Sequence, residues 1–186
     1  VPRDFVELCS QIMENWALTP EVLKMYARHY QTNEPMPDDM IKKIENSKLF
    51  NQGFETVEYL AASYLDMDWH TVTKPEEKDV ANFEKESLSK IELIPEIESR
   101  YQSTNFQHVF SGGYSSGYYS YIWAAVLDAD AFEAFEENGL FDQATATSFR
   151  KNILEKGGSE DPMVLYKKFR GREPKVDSLL KRRGLN

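Results

Sequence analysis

Among 186 residues there is one cysteine, Cys9. A single thiol excludes an internal disulfide framework and any zinc site built from several cysteines. Cys9 follows an apolar run and reads as a small buried hydrophobe rather than a nucleophile. No apolar run approaches the ~20 residues of a membrane-spanning helix, and the first residues show no signal-peptide pattern. No membrane partner is therefore expected, and the compartment expected is the cytoplasm, with the periplasm as the alternative. Positive charge is also scarce. Lys and Arg number 22 against 31 Asp and Glu, a formal net charge of −9. Phosphate binding needs a concentrated basic face, so nucleic acid is not expected as a partner. The one basic cluster, Lys181, Arg182 and Arg183, suits a helix C-terminus. Strand-like alternation is missing throughout, as are internal repeats and low-complexity segments.

The most local absence is the most informative. Residues 101–127 contain no Asp, Glu, Lys or Arg, in a chain that is 28% charged. The same stretch holds Tyr101, Phe106, Phe110, Tyr114, Tyr118, Tyr119, Tyr121 and Trp123. An uncharged core helix would use Leu, Ile and Ala. Tyrosine instead puts an apolar ring and a hydroxyl in one place. Gly112 and Gly113, just upstream, let the backbone turn sharply or approach another group closely. On a helix starting near Gly113, Tyr114, Tyr118 and Tyr121 share one face by i, i+4, i+7 spacing. Tyr119, Ile122, Trp123 and Val126 then form a packing face. Two readings of the first face stay open. Its tyrosines are half-buried core residues with hydroxyls at the surface, or they are phenolic donors lining a cleft that binds a peptide or steadies an oxyanion. His108, in the loop before them, is a further donor of the same kind.

Helical periodicity dominates elsewhere. Residues 5–16 place Phe5, Leu8, Cys9, Ile12, Met13 and Trp16 at helical spacing. Thr19-Pro20-Glu21 starts a helix that should run to about Tyr30. Pro37-Asp38-Asp39 opens another, and Asn51 caps a longer one through Trp69. A helix is expected from about Pro75 to Lys90. The stretch 91–113 has no convincing period and is long for a loop in a compact domain. The tyrosine helix should reach about Glu137, where Asn138-Gly139 ends it. Asp142 caps a helix to about Lys156, Asp161-Pro162 starts one to Phe169, and Asp177 caps the last. The expected fold is all-α: one helical domain over residues 1–186 with a long Gly/Tyr-rich loop.

Several strings resemble one family. Asp4-Phe5-Val6-Glu7, followed by Ser10-Gln11 and Glu14-Asn15-Trp16, is similar to the segment after the zinc-binding helix of the thimet oligopeptidase and peptidyl-dipeptidase family. Asn51-Gln52-Gly53-Phe54 resembles another of its segments. The run from His108 through Phe110-Ser111-Gly112-Gly113-Tyr114 to Tyr121-Ile122-Trp123 resembles its tyrosine-rich substrate loop and helix. Gly157-Gly158, Asp161-Pro162 and Phe169-Arg170-Gly171-Arg172-Glu173-Pro174 resemble its C-terminal end. The resemblance covers essentially the whole chain in the right order, and the spelling is nearest to bacterial peptidyl-dipeptidases.

The resemblance implies a zinc metallopeptidase that hydrolyses short peptides, releasing C-terminal dipeptides. It implies that Glu7 is the third zinc ligand and that His108, Tyr114, Tyr118 and Tyr121, with Gly112 and Gly113, bind substrate. Tyr121, Tyr114 and His108 would also stabilise the oxyanion. Glu14, two helical turns after Glu7 on the same face, is either a carboxylate that orients a zinc-bound histidine or a surface glutamate. Without the resemblance Glu7 reads as a solvated first-turn glutamate.

One departure is large. The family's other two ligands come from H-E-x-x-H, whose spacing puts two imidazoles on one helix face. This chain has His29, His70 and His108 and no such motif. It is therefore expected to be the C-terminal part of the catalytic region, lacking the H-E-x-x-H helix. Zinc is expected in the intact parent and none in this fragment, which should itself be inactive. Expected partners are short peptides and the missing N-terminal part of the parent, with self-association through the exposed cut face. The rival expectation is a metal-free, non-catalytic helical module that holds peptides. Arg172 reads as a structural ion pair rather than a substrate clamp.

Overall fold

The structure, a computed structural model, describes residues 1–74 and 76–185. The fold class is all-α. Among the described residues the one pairing of extended chain is an isolated antiparallel bridge between Arg28 and Pro35. Two compact units are present, Val1–Phe50 with Ile122–Asn186, and Asn51–Tyr121. No helix among the described residues is long and apolar enough to cross a membrane.

The first unit begins with α1 (Arg3–Ala17), α2 (Pro20–Tyr26) and α3 (Asp38–Ser47). In α1, Phe5, Leu8 and Ile12 are buried at helical spacing, while Met13, expected beside them, is 52% exposed. Helix α2 stops at Tyr26, four residues short of expectation. The chain there folds back on itself instead: the Met36 amide donates to the Ala27 carbonyl and the His29 amide to that of Glu34, both at 2.9 Å. The turn thereby takes the His29 amide, which a longer helix would have paired with the Met25 carbonyl.

The rest of this unit comes from α7 (Ser120–Asn138), of which residues from Ile122 on belong here, α8 (Gln143–Phe149) with a π-turn (Arg150–Leu154), α9 (Pro162–Arg170) and α10 (Asp177–Arg182). Phe5, Leu8 and Ile12 pack with Leu127, Ala131, Phe132, Phe135, Phe149, Ile153, Leu165 and Tyr166. Each large apolar side chain so buried is worth about 1.5–3 kcal/mol. Trp16 sets its ring edgewise to Phe132 and Phe135, each at 4.7 Å, and its indole N–H donates to the Leu140 carbonyl at 2.9 Å. The expected starts of α8 and α9 hold. Asp142 accepts from the Thr145 amide at 2.7 Å, and Asp161 from the Met163 amide at 2.9 Å, with Pro162 at the first helical position.

Helix α7 is buried nearly all round, and it carries two carboxylates into the core. Asp128 and Asp130 are 1% and 0% exposed. Asp130 accepts from Arg172 at 2.6 Å and from the Tyr166 hydroxyl at 2.7 Å. Asp128 accepts from Asn15 at 2.9 Å and from Arg182. Buried carboxylates persist when paired and hydrogen-bonded in this way. Arg172 is thus the structural partner of Asp130, as its sequence context suggested.

The second unit contains α4 (Gln52–His70), α5 (Val80–Lys90), a 3₁₀ turn (Ser103–Asn105), α6 (Gln107–Phe110) and the chain up to Tyr121. Helix α5 starts at Val80 because Asp79 accepts from the Asn82 amide at 2.9 Å, an N-cap that outcompetes the earlier start. Pro75, expected to open this helix, lies outside the described residues. Trp69 stacks on Phe83 at 3.8 Å and donates to the Ser103 hydroxyl at 2.7 Å, joining α4, α5 and the 3₁₀ turn.

Candidate active site

The tyrosine run is not a helix from Gly113. Residues 111–119 form a succession of turns, and α7 begins only at Ser120. The turns are tied by specific bonds. The Gly112 amide donates to the Gln107 carbonyl at 2.7 Å, the Tyr114 amide to that of His108 at 2.9 Å, and the Gly117 amide to that of Tyr114 at 2.8 Å. Gly112 is required sterically. A Cβ there would stand 2.9 Å from both the Cα and the carbonyl oxygen of His108, which are backbone atoms with nowhere to go. Gly113 has φ 85°, the left-handed region that suits glycine.

These turns still bring together the residues that helical spacing had grouped. The rings of Tyr114 and Tyr121 stack at 5.2 Å with an interplanar angle of 19°. Tyr118 meets Tyr121 edgewise at 5.3 Å. The His108 imidazole, on α6, lies 5.9 Å from Tyr118 and 6.5 Å from each of Tyr114 and Tyr121. His108, Tyr114 and Tyr121 are half-buried, whereas Tyr118 is 3% exposed. Tyr118 packs with Ala62, Phe106 and Val109. Burial pushes its phenol well above the ordinary value, against the opposing pull of Arg100, so it stays a neutral hydroxyl. Tyr119 and Trp123, expected on a packing face, are 44% and 36% exposed. Tyr119 lies in the turns and is set away from the face that a continuous helix would have given it, whereas Trp123 stands on α7 itself.

Three neighbours were not assigned to the site from sequence. Tyr101 stacks on Phe106 at 4.8 Å and lies 5.2 Å from His108. Tyr59 stacks on Tyr118 at 5.3 Å, and its hydroxyl donates to the Tyr118 carbonyl. Asp66, fully buried, accepts from the Ser116 amide at 3.0 Å and the Tyr118 amide at 2.9 Å. The available signal for Asp66 was a carboxylate one helical turn after Ala62 on the buried side of α4.

In the first unit, Glu7 and Glu14 both lie on α1. Glu7 is half-buried and its carboxylate accepts from the Ser10 hydroxyl at 2.6 Å, while Glu14 is exposed. A zinc ion held by protein needs three ligands and keeps one position open for catalysis. Among the described residues no group of three His, Cys, Asp or Glu side chains stands close enough to hold an ion. The described residues alone thus offer no three-ligand set of the kind that zinc requires. His29 uses Nδ1 to accept from the Thr32 amide at 3.2 Å, and the Nδ1 of His70 lies 2.8 Å from Asp66.

A profile of Peptidase family M3 matches residues 1–185. The chain belongs to Peptidase family M3. It is 45% identical to a dipeptidyl carboxypeptidase of Escherichia coli (strain K12), over all of this chain and 28% of that protein. It is 41% identical to oligopeptidase A of the same organism, over all of this chain and 27% of that protein. Saccharolysin of Saccharomyces cerevisiae (strain ATCC 204508 / S288c) is 31% identical, over all of this chain and 26% of its own length. The M3 chain described here thus spans little more than a quarter of each of these relatives.

Proposed function

We propose that this chain is the part of an M3 zinc peptidase that binds the peptide substrate and stabilises charge during its hydrolysis. The observation that carries the reading is the cluster of His108, Tyr114 and Tyr121, half-buried around the buried ring of Tyr118. Family membership supports peptide-bond hydrolysis, and the likeness to a dipeptidyl carboxypeptidase supports release of C-terminal dipeptides.

Peptide hydrolysis builds negative charge on the scissile carbonyl oxygen. A hydroxyl or imidazole N–H fixed near that oxygen before reaction stabilises the charge without reorganisation. Tyr121 takes this part, with Tyr114 and His108 donating to the oxyanion or to the substrate backbone. Gly112 and Gly113 let the chain approach the peptide closely. Tyr118 lies beneath as an apolar platform that sets the angle of the other rings. Glu7 is proposed as one ligand of a zinc ion whose remaining ligands lie outside these 186 residues, and Glu14 as a carboxylate orienting one of them.

The test is steady-state kinetics of Tyr121→Phe and Tyr119→Phe in the complete enzyme on one short peptide. Removing the Tyr121 hydroxyl should lower kcat by about 10²–10³ with KM nearly unchanged, the mark of a contact made mainly in the transition state. Tyr119→Phe should be nearly silent. Equal behaviour of the two variants would refute the assignment. A complete protein that binds peptides and cleaves none when supplied with zinc would favour a non-catalytic binding module instead.

A further inference from the structure

Because residues 114–119 are turns rather than helix, something other than a helical ladder must fix where the site tyrosines stand. Helix α4 supplies it. Asp66 is 0% exposed, and its carboxylate accepts from two amides of the turn, Ser116 at 3.0 Å and Tyr118 at 2.9 Å. A carboxylate buried this deeply needs such compensation. Ser116 holds φ 54°, a left-handed value uncommon for a residue other than glycine. With that twist the two alternate amides meet one carboxylate, Ser116 at Oδ1 and Tyr118 at Oδ2, as in an anion-accepting concavity of backbone N–H groups. Two turns earlier on the same helix, the Tyr59 hydroxyl donates to the carbonyl of Tyr118, and the Tyr59 ring stacks on the Tyr118 ring at 5.3 Å. The Tyr118 residue is therefore gripped at its N–H, its C=O and its ring by one helix. From Tyr118 the constraint passes outward by ring contact to Tyr121 at 5.3 Å and His108 at 5.9 Å. On the other side, the Ser115 hydroxyl donates to the Val109 carbonyl at 2.6 Å, which closes the turn against α6.

We infer that Asp66 and Tyr59 are positioning residues of the peptide site: they lock the tyrosine turn onto α4, and so set where Tyr114, Tyr121 and His108 present their donors. The inference rests on the peptidase reading above. Neither residue touches the substrate. Tyr59 acts through Tyr118, and Asp66 through the backbone amides of Ser116 and Tyr118.

The test uses the complete enzyme and three variants. In Asp66→Asn one amide keeps an acceptor while the other faces an NH₂ group. Hydrogen exchange at the Ser116 and Tyr118 amides should then accelerate about tenfold or more, while the interior of α9 keeps its protection. With a short peptide, kcat/KM per active site should fall about 10- to 100-fold, as misplacement of catalytic donors does. Asp68→Asn, also on α4, alters a pair with Lys90 of α5 and should change neither readout. Tyr59→Phe removes only the hydroxyl, from a half-buried position, and should lower kcat/KM in the same direction. It keeps the proposal open to refutation should Asp66→Asn not fold. Unchanged exchange at residues 116 and 118 in Asp66→Asn overturns the inference. So does accelerated exchange with unchanged kinetics, or wild-type kinetics in Tyr59→Phe. Those results leave the peptidase reading standing. A wild-type enzyme that cleaves no peptide would remove that reading and this inference with it.

Discussion

Removing the Asp130 carboxylate should be among the most damaging single changes in the first unit. The side chain is fully buried on α7 and accepts from Arg172 at 2.6 Å, the Tyr166 hydroxyl at 2.7 Å and the Lys175 amide at 3.3 Å. The Arg170 guanidinium, itself nearly buried, lies 3.5 Å away. Breaking a buried ion pair by deleting one partner costs about 3–5 kcal/mol, because the other charge stays desolvated. Here Glu133 and Glu137 still hold Arg170 at 2.9 and 3.2 Å, so the lower end applies, about 3 kcal/mol. Asp130→Asn keeps the volume and isolates the charge. With a urea slope of about 2 kcal/mol/M, the unfolding midpoint followed by circular dichroism should drop by roughly 1.5 M. Asp39→Ala breaks an exposed pair with Lys43 at 3.2 Å and should cost no more than about 0.5 kcal/mol. If Asp130→Asn loses less than about 1 kcal/mol, the buried network is not what holds α7, α9 and the segment after α9 together.

Three further outcomes follow from individual contacts. Burial, and then the hydrogen bond to Asp130, raise the Tyr166 phenol pKa in the folded state. Its contribution is therefore complete below the ordinary phenol value of ~10 and is lost as pH rises beyond it. The stability advantage of wild type over Tyr166→Phe should shrink between pH ~8 and ~10.5 in urea titrations, and a constant gap would contradict this. Gly112→Ala drives a Cβ to 2.9 Å from His108 backbone atoms, whereas a Cβ at Gly53 meets nothing within 4 Å. Gly112→Ala should cost about 1–3 kcal/mol and weaken peptide turnover, Gly53→Ala should be neutral or stabilising, and equal stability of the two would count against the close approach. Burial raises the Cys9 thiol pKa, so iodoacetamide at pH ~8 should modify the native protein more slowly than the urea-unfolded chain; equal rates would show that the thiol is not shielded.

Much of the architecture was written locally. Asp142 and Asp161 mark helix starts by accepting from amides within their own first turns, and Pro20 and Pro162 suit the first helical position, because all of this chemistry involves only neighbours in the chain. The inner side of α1 was legible from period alone at Phe5, Leu8 and Ile12. The candidate site announced itself as an uncharged, tyrosine-rich stretch in a charged chain, and His108, Tyr114, Tyr118 and Tyr121 do meet. Their means of meeting was not legible. Spacing i, i+4, i+7 suggested one helical face, yet the rings converge through turns, and the same turns expose Tyr119, which a helix would have buried. The reason is Asp66, which lies 50 and 52 residues before the amides it holds. In the chain it is one acidic residue among many on an amphipathic helix. Only when α4 passes beneath the turn does a buried carboxylate outbid the helical ladder for those amides, because a charged acceptor out of water binds N–H groups more strongly than a carbonyl does. Asp128 and Asp130 show the same dependence. Within their helix they read as breaks in an apolar run, and their arginines, 40 to 54 residues further on, become partners through packing alone.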